Sequence, residues 1–168
     1  MTNRSSAIDM ESIAREHYDA VFRFCARRVG SDKAADISQE TFLTAQKALH
    51  KFRGDSTLST WLFGIANNEC RRYFRYTKVE PLLMEEGSPV LHSESAETGI
   101  IDRHSLNTAL TRLSSEHREV VILHEIEGFT YDEVAEILKI PAGTVKSRLH
   151  HAFLLLRKSL LIPSEVGR

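Results

Sequence analysis

Residues 128–148 read GFTYDEVAEILKIPAGTVKSR, and this stretch decides the fold of the C-terminal part of the chain. Thr130 and Glu133 have the spacing of a capping box, in which each side chain accepts a hydrogen bond from a backbone N–H at a helix start. Pro141 suits the first position of a second helix, because the N–H that proline lacks would have no helical partner there. The stretch therefore predicts a helix that starts at Thr130, a tight turn and a second helix, which is a helix-turn-helix.

The second of these helices separates apolar from basic side chains. At about 100° per residue, one face collects the apolar residues Val145, Leu149, Ala152, Phe153 and Leu156. Four lysines or arginines and no acidic residue lie between Pro141 and Lys158, as a helix that enters the major groove of DNA requires. A solvated basic face on a structural hairpin is the alternative. Leu154 and Leu155 fall outside the apolar face, so we expect a neighbouring helix or a protein partner to cover them.

A second basic face is predicted on a helix that runs from about Ser59 to Lys78. The apolar face of this helix comprises Leu62, Phe63, Ala66, Cys70, Tyr73 and Phe74. The opposite face has no acidic residue and comprises Trp61, Gly64, Asn68, Arg71, Arg72, Arg75 and Lys78. Cations bind phosphates, an amide pairs with base edges and an aromatic ring stacks on unpaired bases, so this face suits single-stranded or opening DNA.

The polar loop before this helix supports the same interpretation. It contains Arg53, Asp55, Ser56 and Thr57, which suit the binding of a base removed from the stack. The alternative is that Trp61 packs in the core and that the cations only make the helix soluble.

The predicted fold class is all-α, because apolar residues recur at spacings of three and four along most of the chain. We expect a first helix from Met10 to Val29 and a second from Asp32 to His50. Outside its main apolar stripe the second helix carries Phe42, Leu43 and Leu49, which something must cover. Residues 79–103 carry six acidic side chains and one basic one, with several prolines, glycines and serines, so we predict a flexible acidic linker there. The linker would join two small helical domains, over residues 8–78 and 104–163.

The charge distribution along the 168 residues is uneven, although the net charge is only −1. Residues 1–78 carry 13 basic and 9 acidic side chains, and residues 104–168 carry 8 of each. The two cysteines, Cys25 and Cys70, lie far apart in helical patterns and predict buried thiols rather than a disulfide framework. Neither a signal peptide nor an apolar run of membrane-spanning length is evident, so we expect a cytoplasmic protein without membrane insertion.

Catalytic and metal-binding motifs are not evident in the sequence. It has no glycine-rich phosphate loop, and His124-Glu125 lacks the second histidine of the H-E-x-x-H zinc motif. We therefore expect a protein that is not an enzyme, with no catalytic residues, no cofactor and no metal site.

Four motifs, in this order, resemble the extracytoplasmic-function sigma factors of the sigma-70 family. They are ADISQETF at 35–42, FRG at 52–54 with TWLFGIANN at 60–68, the segment 113–121, and the helix-turn-helix. The resemblance covers nearly all of the chain except its termini and the linker. It implies a sigma region 2 bundle, a sigma region 4 helix-turn-helix and a protein that directs RNA polymerase to promoters.

The resemblance also implies roles for individual residues. It assigns docking on core RNA polymerase to Asp36, Gln39, Glu40 and Leu43. Polymerase bound there would cover the apolar surface of the second helix. Recognition of the melting minus-ten element falls to Arg53, Asp55, Ser56, Thr57, Trp61, Asn68, Arg71, Arg72 and Arg75. Recognition of the minus-35 element falls to Thr144, Lys146, Ser147, Arg148, His150 and His151. The implied partners are core polymerase, promoter DNA and an anti-sigma factor.

The sequence departs from the family pattern at two positions and leaves two other classes of function open. Ala35 stands where members often have a second acidic residue, and His150-His151 stands where basic residues are common. Because imidazoles are partly charged near neutrality, this histidine pair predicts promoter binding that changes with pH. A stand-alone helix-turn-helix regulator and a helical protein-binding adaptor or sigma mimic are the alternatives.

Overall fold

The computed structural model describes residues 9–77 and 108–161, and every regular element in these two ranges is helical. The predicted all-α class is therefore confirmed. The described residues form two compact units, divided between Glu80 and Pro81. We call residues 9–77 the N-terminal unit and residues 108–161 the C-terminal unit. Lys78, the predicted linker at 79–103 and the outermost residues of the predicted domains lie outside the described residues.

The N-terminal unit consists of three helices, α1 (Met10–Val29), α2 (Ser31–Ala48) and α3 (Leu58–Thr77), with a 3₁₀ turn over Leu49–Lys51. Helix α1 has the predicted bounds. It starts at Asp9, whose carboxylate accepts hydrogen bonds from the backbone N–H and hydroxyl of Ser12 at 3.0 and 2.7 Å. These bonds lower the pKa of the Asp9 carboxyl. The chain turns directly into α2 at Gly30, whose φ of 88° favours glycine.

The core of the N-terminal unit comes from all three helices. The rings of Phe24 in α1 and Phe63 in α3 lie 5.2 Å apart between their centroids. Cys25 and Cys70 are fully buried thiols, as predicted. A hydrogen bond with Cys70 lowers the pKa of the Cys25 thiol; Ser38 and the charge of Arg28 act in the same direction, and burial opposes them. The buried side of α1 and the predicted apolar face of α3 therefore meet in one core.

The C-terminal unit contains a helical turn over residues 108–111, then α4 (Ser115–Val121), α5 (Tyr131–Leu138) and α6 (Ala142–Leu161). A π-helical turn, Ile122–Ile126, continues directly from α4. Buried Arg118 of α4 donates to three backbone carbonyls, those of Leu110 at 3.1 Å, Thr111 at 3.1 Å and Leu113 at 2.9 Å. One guanidinium thus ties the end of the preceding helical turn to α4.

The buried stripe of α6 is narrower than predicted. Val145, Leu149, Ala152 and Leu156 are buried, but 45% of Phe153 is exposed, so its assignment to the core face was wrong. The buried positions follow spacings of four, three and four, and Phe153 lies at the edge of that stripe. Leu154 and Leu155 are also exposed, at 52% and 44%. Over the parts of the chain that the structure describes, no helix is both long and apolar enough to cross a membrane.

Candidate nucleic-acid and polymerase interfaces

Hydrogen bonds fix both the start of α5 and the turn that leads from α5 to α6. The Thr130 hydroxyl accepts from the Glu133 N–H at 3.3 Å, and the Glu133 carboxylate accepts from the Thr130 N–H at 2.9 Å, which confirms the capping box. Lys139 ends α5 in the left-handed conformation, with φ 57°. The Ile140 N–H donates to the Ala135 carbonyl at 3.1 Å, which is the long bond of a Schellman motif.

Pro141 lies one residue before the first helical residue of α6, so its expected place inside the helix was wrong by one position. Its carbonyl accepts from the N–H groups of Thr144 and Val145, at 2.9 and 3.1 Å. The proline therefore acts through its carbonyl oxygen as the N-cap residue of α6.

The exposed face of α6 contains most of the residues that the resemblance assigned to the minus-35 element. Lys146, Ser147, His150 and His151 are exposed, and Thr144 is half-buried. The His150 and His151 rings lie 5.8 Å apart, and the His117 ring of α4 lies 6.3 Å from that of His151. The structure thus brings an imidazole of α4 beside the predicted histidine pair.

Arg148 lies differently from the other predicted residues of α6. Its guanidinium forms an ion pair with Glu116 of α4 at 3.0 Å, and only 21% of its side chain is exposed. Glu116 was not singled out from the sequence, and neither was Tyr131, whose ring lies 5.5 Å below the Lys146 ammonium group. Both contacts join residues 15 or more positions apart, so local periodicity gave no signal for them.

The basic face of α3 has Asn68 and Arg75 exposed, with Arg71 and Trp61 half-buried. The Trp61 ring contacts Phe52 at 5.1 Å between centroids, at an interplanar angle of 45°. This aromatic pair joins the start of α3 to the beginning of the polar loop. Trp61 therefore contributes packing as well as an aromatic surface.

The polar loop before α3 holds its predicted residues in different environments. Arg53 and Asp55 are exposed, and Ser56 is half-buried. The Thr57 hydroxyl accepts from the Thr60 N–H at 3.1 Å and lies 2.8 Å from the Thr60 hydroxyl. Thr57 therefore caps α3, which starts one residue earlier than the predicted Ser59.

Arg72 lies between two acidic side chains, although the sequence places no acidic residue on its own face of α3. Its guanidinium is 3.3 Å from Glu69 and 3.8 Å from Glu40 of α2. Glu69 is nearly buried and also accepts from the Thr44 hydroxyl at 3.0 Å. The helical wheel of α3 could not show the contacts with Glu40 and Thr44, because these two residues belong to another helix. The contact links a predicted polymerase-docking residue to a predicted DNA-binding residue.

Helix α2 places the four predicted docking residues on an exposed surface. Asp36, Gln39 and Glu40 are exposed, and Leu43 is 41% exposed. The apolar surface expected beside them is partly covered within the unit, because Phe42 is half-buried and its ring stacks on Tyr18 of α1 at 5.9 Å. Leu43 remains exposed next to this aromatic pair.

Two neighbouring asparagines of α3 have opposite environments. Asn68 is exposed on the predicted DNA face. Asn67 is completely buried, and neither of its side-chain amide atoms has a hydrogen-bond partner within the described residues. The sequence analysis did not single out Asn67, which adjoins the apolar face of α3. In residues 9–77 and 108–161, no group of three or more His, Cys, Asp or Glu side chains is placed to hold a metal ion.

Comparison with known proteins identifies the same two regions. Residues 13–79 match the family model of sigma-70 region 2, and residues 103–156 match that of sigma-70 region 4. The RNA polymerase sigma factor YlaC of Bacillus subtilis is 31% identical, over 95% of this chain and 96% of its own. The ECF RNA polymerase sigma-E factor of Escherichia coli is 32% identical, over 76% of this chain and 73% of its own.

A solved structure gives the same result for the fold. The sigma factor RpoE of Bartonella quintana, in complex with the anti-sigma factor NepR, matches with a TM-score of 0.69 and 28% identity. The match covers 92% of this chain and 98% of that one. These relatives do not favour a stand-alone repressor or an adaptor. The chain belongs to the extracytoplasmic-function RNA polymerase sigma factors of the sigma-70 family.

Proposed function

We propose that this chain binds core RNA polymerase and directs it to promoters, using α3 to read and melt the minus-ten element and α6 to read the minus-35 element. One observation carries the proposal: each unit that matches a sigma region exposes one helix whose solvent face bears cations and hydrogen-bonding side chains. On α3 these include Asn68 and Arg75, and on α6 they include Lys146 and His150. The bond-making chemistry of transcription belongs to the polymerase, and this chain supplies recognition.

The docking surface for core polymerase is assigned to Asp36, Gln39, Glu40 and Leu43 of α2. Their spacing places them on one exposed side of the helix, where two carboxylates and an amide precede a leucine. A partner with basic side chains around an apolar contact would complement this surface. Because Glu40 also contacts Arg72, docking would act on the charge environment of the DNA-binding face.

The minus-ten surface is assigned to Arg53, Asp55, Ser56 and Thr57 of the loop and to Trp61, Asn68, Arg71, Arg72 and Arg75 of α3. The cations would bind phosphates of the separated strands, and the exposed amide of Asn68 can pair with a base edge. The Phe52–Trp61 pair supplies aromatic surface beside the loop. Thr57 would contribute mainly by holding the start of α3, since its hydroxyl already serves as the cap.

The minus-35 surface is assigned to Thr144, Lys146, Ser147, Arg148, His150 and His151. The fixed turn before Ala142 gives α6 a defined entry into the major groove. Arg148 would reach a phosphate only by leaving Glu116, whereas Lys146 and His150 are exposed in the free chain.

The remaining assignments follow from this function. We propose domains at 8–78 and 104–163, joined by residues 79–103, whose acidic charge would suit a basic channel of the polymerase. The chain would work in the cytoplasm, where RNA polymerase acts, without a cofactor. An anti-sigma factor is a proposed partner because RpoE of Bartonella quintana was solved in complex with one.

In vitro transcription with bacterial core polymerase, with and without this chain, tests the function on a library of genomic fragments. We expect start sites that require both components and that share two sequence elements. No core-dependent initiation would overturn the proposal. Half-site binding to duplex DNA without polymerase would instead indicate a repressor, and polymerase binding without initiation would indicate an adaptor.

The assignment of Asn68 has its own test in the same assay. Asn68→Ala should slow minus-ten opening about tenfold, because one base contact is lost, while the free energy of unfolding changes little. Opening is measured by permanganate reactivity of unpaired thymines. Wild-type opening by this variant would exclude Asn68 from base recognition.

A further inference from the structure

The ring of Tyr131 contacts His124 of the π-helical turn and Lys146 on the exposed side of α6. It stacks on His124 with the centroids 4.5 Å apart and an interplanar angle of 29°. The Lys146 ammonium group lies over the same ring, 5.5 Å from its centroid. Tyr131 is 40% exposed and Lys146 is exposed, so both reach the surface that faces DNA in the proposed function.

The position of the ring is fixed by the residues around it. The His124 Nδ1 lies 2.7 Å from the Phe129 carbonyl oxygen, and since a carbonyl can only accept, Nδ1 carries the proton. This bond fixes the orientation of the imidazole on which Tyr131 stacks. Tyr131 is also the first residue of α5, directly after the capping box at Thr130, so its backbone is held as well.

Lys146, which lies over the ring, has a side chain with wide conformational freedom. A lysine ammonium group ends a flexible four-carbon stem, and its ordering on binding has an entropic cost. The face of an aromatic ring attracts a cation and restricts that freedom before DNA arrives. The contact thus preorganises Lys146, a residue assigned to the minus-35 element.

We propose that Tyr131, held by His124, is a positioning residue for Lys146 in minus-35 recognition. This role rests on the proposed function, because it presumes that Lys146 contacts promoter DNA. It requires the face of the ring and does not require the hydroxyl group. The competing role is a direct contact of the Tyr131 hydroxyl with a phosphate, which requires the hydroxyl group and not the face of the ring.

A double-mutant cycle with holoenzyme and a promoter fragment from the transcription assay tests this role. Tyr131→Phe should bind like wild type, and Tyr131→Leu should bind about two- to fivefold more weakly, the effect of an exposed cation–π contact. Lys146→Met should weaken binding further, and adding Tyr131→Leu to it should have no additional effect. If the losses of binding caused by Tyr131→Leu and Lys146→Met multiply in the double variant, the positioning role is overturned. It is also overturned if Tyr131→Phe binds as weakly as Tyr131→Leu.

An NMR measurement on the free full-length chain keeps this test separate from the test of function. The ring current of Tyr131 should shift the Lys146 side-chain resonances upfield; Tyr131→Phe should retain the shift and Tyr131→Leu should remove it. No shift in the wild type would overturn the contact itself. Wild-type binding by Lys146→Met, with the shift present, would instead refute the proposed minus-35 role of Lys146. Thermal unfolding of each variant checks that the C-terminal unit remains folded.

Discussion

Helices α3 and α6 present the two basic faces, but the polar groups around them are satisfied to different degrees. In the C-terminal unit, Arg118 binds three carbonyls, a capping box starts α5, and Glu116 pairs with Arg148 of α6. Within α3, the amide of Asn67 is buried with no hydrogen-bond partner in the described residues. The C-terminal unit is thus built to hold a duplex-reading helix in one position. The N-terminal unit carries an unfavourable buried group directly beside Asn68, the residue proposed to read melted DNA.

The largest expected effect comes from removing the hydrogen bonds of Arg118 in the C-terminal unit. Arg118→Met removes the donors to the carbonyls of Leu110, Thr111 and Leu113 and should lower the free energy of unfolding by about 3 kcal/mol. Urea unfolding followed by circular dichroism measures the loss. The fluorescence of Trp61, the single tryptophan of the chain, reports on the N-terminal unit and should keep its midpoint.

The matched control for this change is Arg112→Met, because Arg112 is exposed and close to the same helical turn. Its effect should stay within about 0.5 kcal/mol, as is usual for a surface substitution. Equal losses of unfolding free energy in the two variants would show that the carbonyl contacts of Arg118 do not stabilise the C-terminal unit.

A stabilising substitution tests the other side of the comparison. Asn67→Leu replaces the buried amide by an apolar side chain of similar size and should raise the free energy of unfolding by about 1–2 kcal/mol. The Trp61 fluorescence midpoint in urea measures this gain.

Asn68→Leu is the control for Asn67→Leu, since it makes the same chemical change at an exposed position of the same helix. Leucine favours helix over asparagine by only a few tenths of a kcal/mol, and that part alone should appear here. A loss of stability in Asn67→Leu would mean that the Asn67 amide has a partner in solution.

The sequence predicted those features that depend on neighbouring residues. The bounds of α1, the capping box at Thr130 and most of the buried stripe of α6 follow from local sequence patterns, and the structure confirms them. For the candidate sites, the helical pattern alone predicted the exposed positions of Asn68, Lys146 and His150. Exposure is a local property of a helix face once its apolar side is known.

The sequence could not predict the contacts between elements. Arg148 pairs with Glu116 across 32 positions, and Arg72 meets Glu40 of another helix. A helical wheel places a side chain on a face but carries no information on which helix packs beside it. Phe153 was misplaced for the same reason, because the width of the covered stripe depends on the neighbours of α6.

A smaller effect is expected in the turn of the helix-turn-helix. Lys139 adopts a φ of 57°, a conformation that costs a residue with a Cβ about 1 kcal/mol. Lys139→Gly should therefore stabilise the C-terminal unit by about that amount, measured by urea unfolding. Lys139→Ala removes the same charge without relieving the backbone, so a comparable gain in that variant would contradict the explanation.

The smallest expected effect concerns how firmly α6 is held by its charged neighbour. Glu116→Gln removes the ion pair with Arg148 and should change stability by less than about 0.5 kcal/mol, because Glu116 is largely exposed. Promoter binding by holoenzyme should strengthen about twofold and depend more steeply on salt, since a released guanidinium can contact a phosphate. Glu136→Gln makes the same change of charge at an exposed position of α5 and should have a weaker effect. If the two variants behave alike, or if Arg148→Met leaves the gain of Glu116→Gln intact, then Arg148 serves to hold α6 against α4 and not to bind DNA.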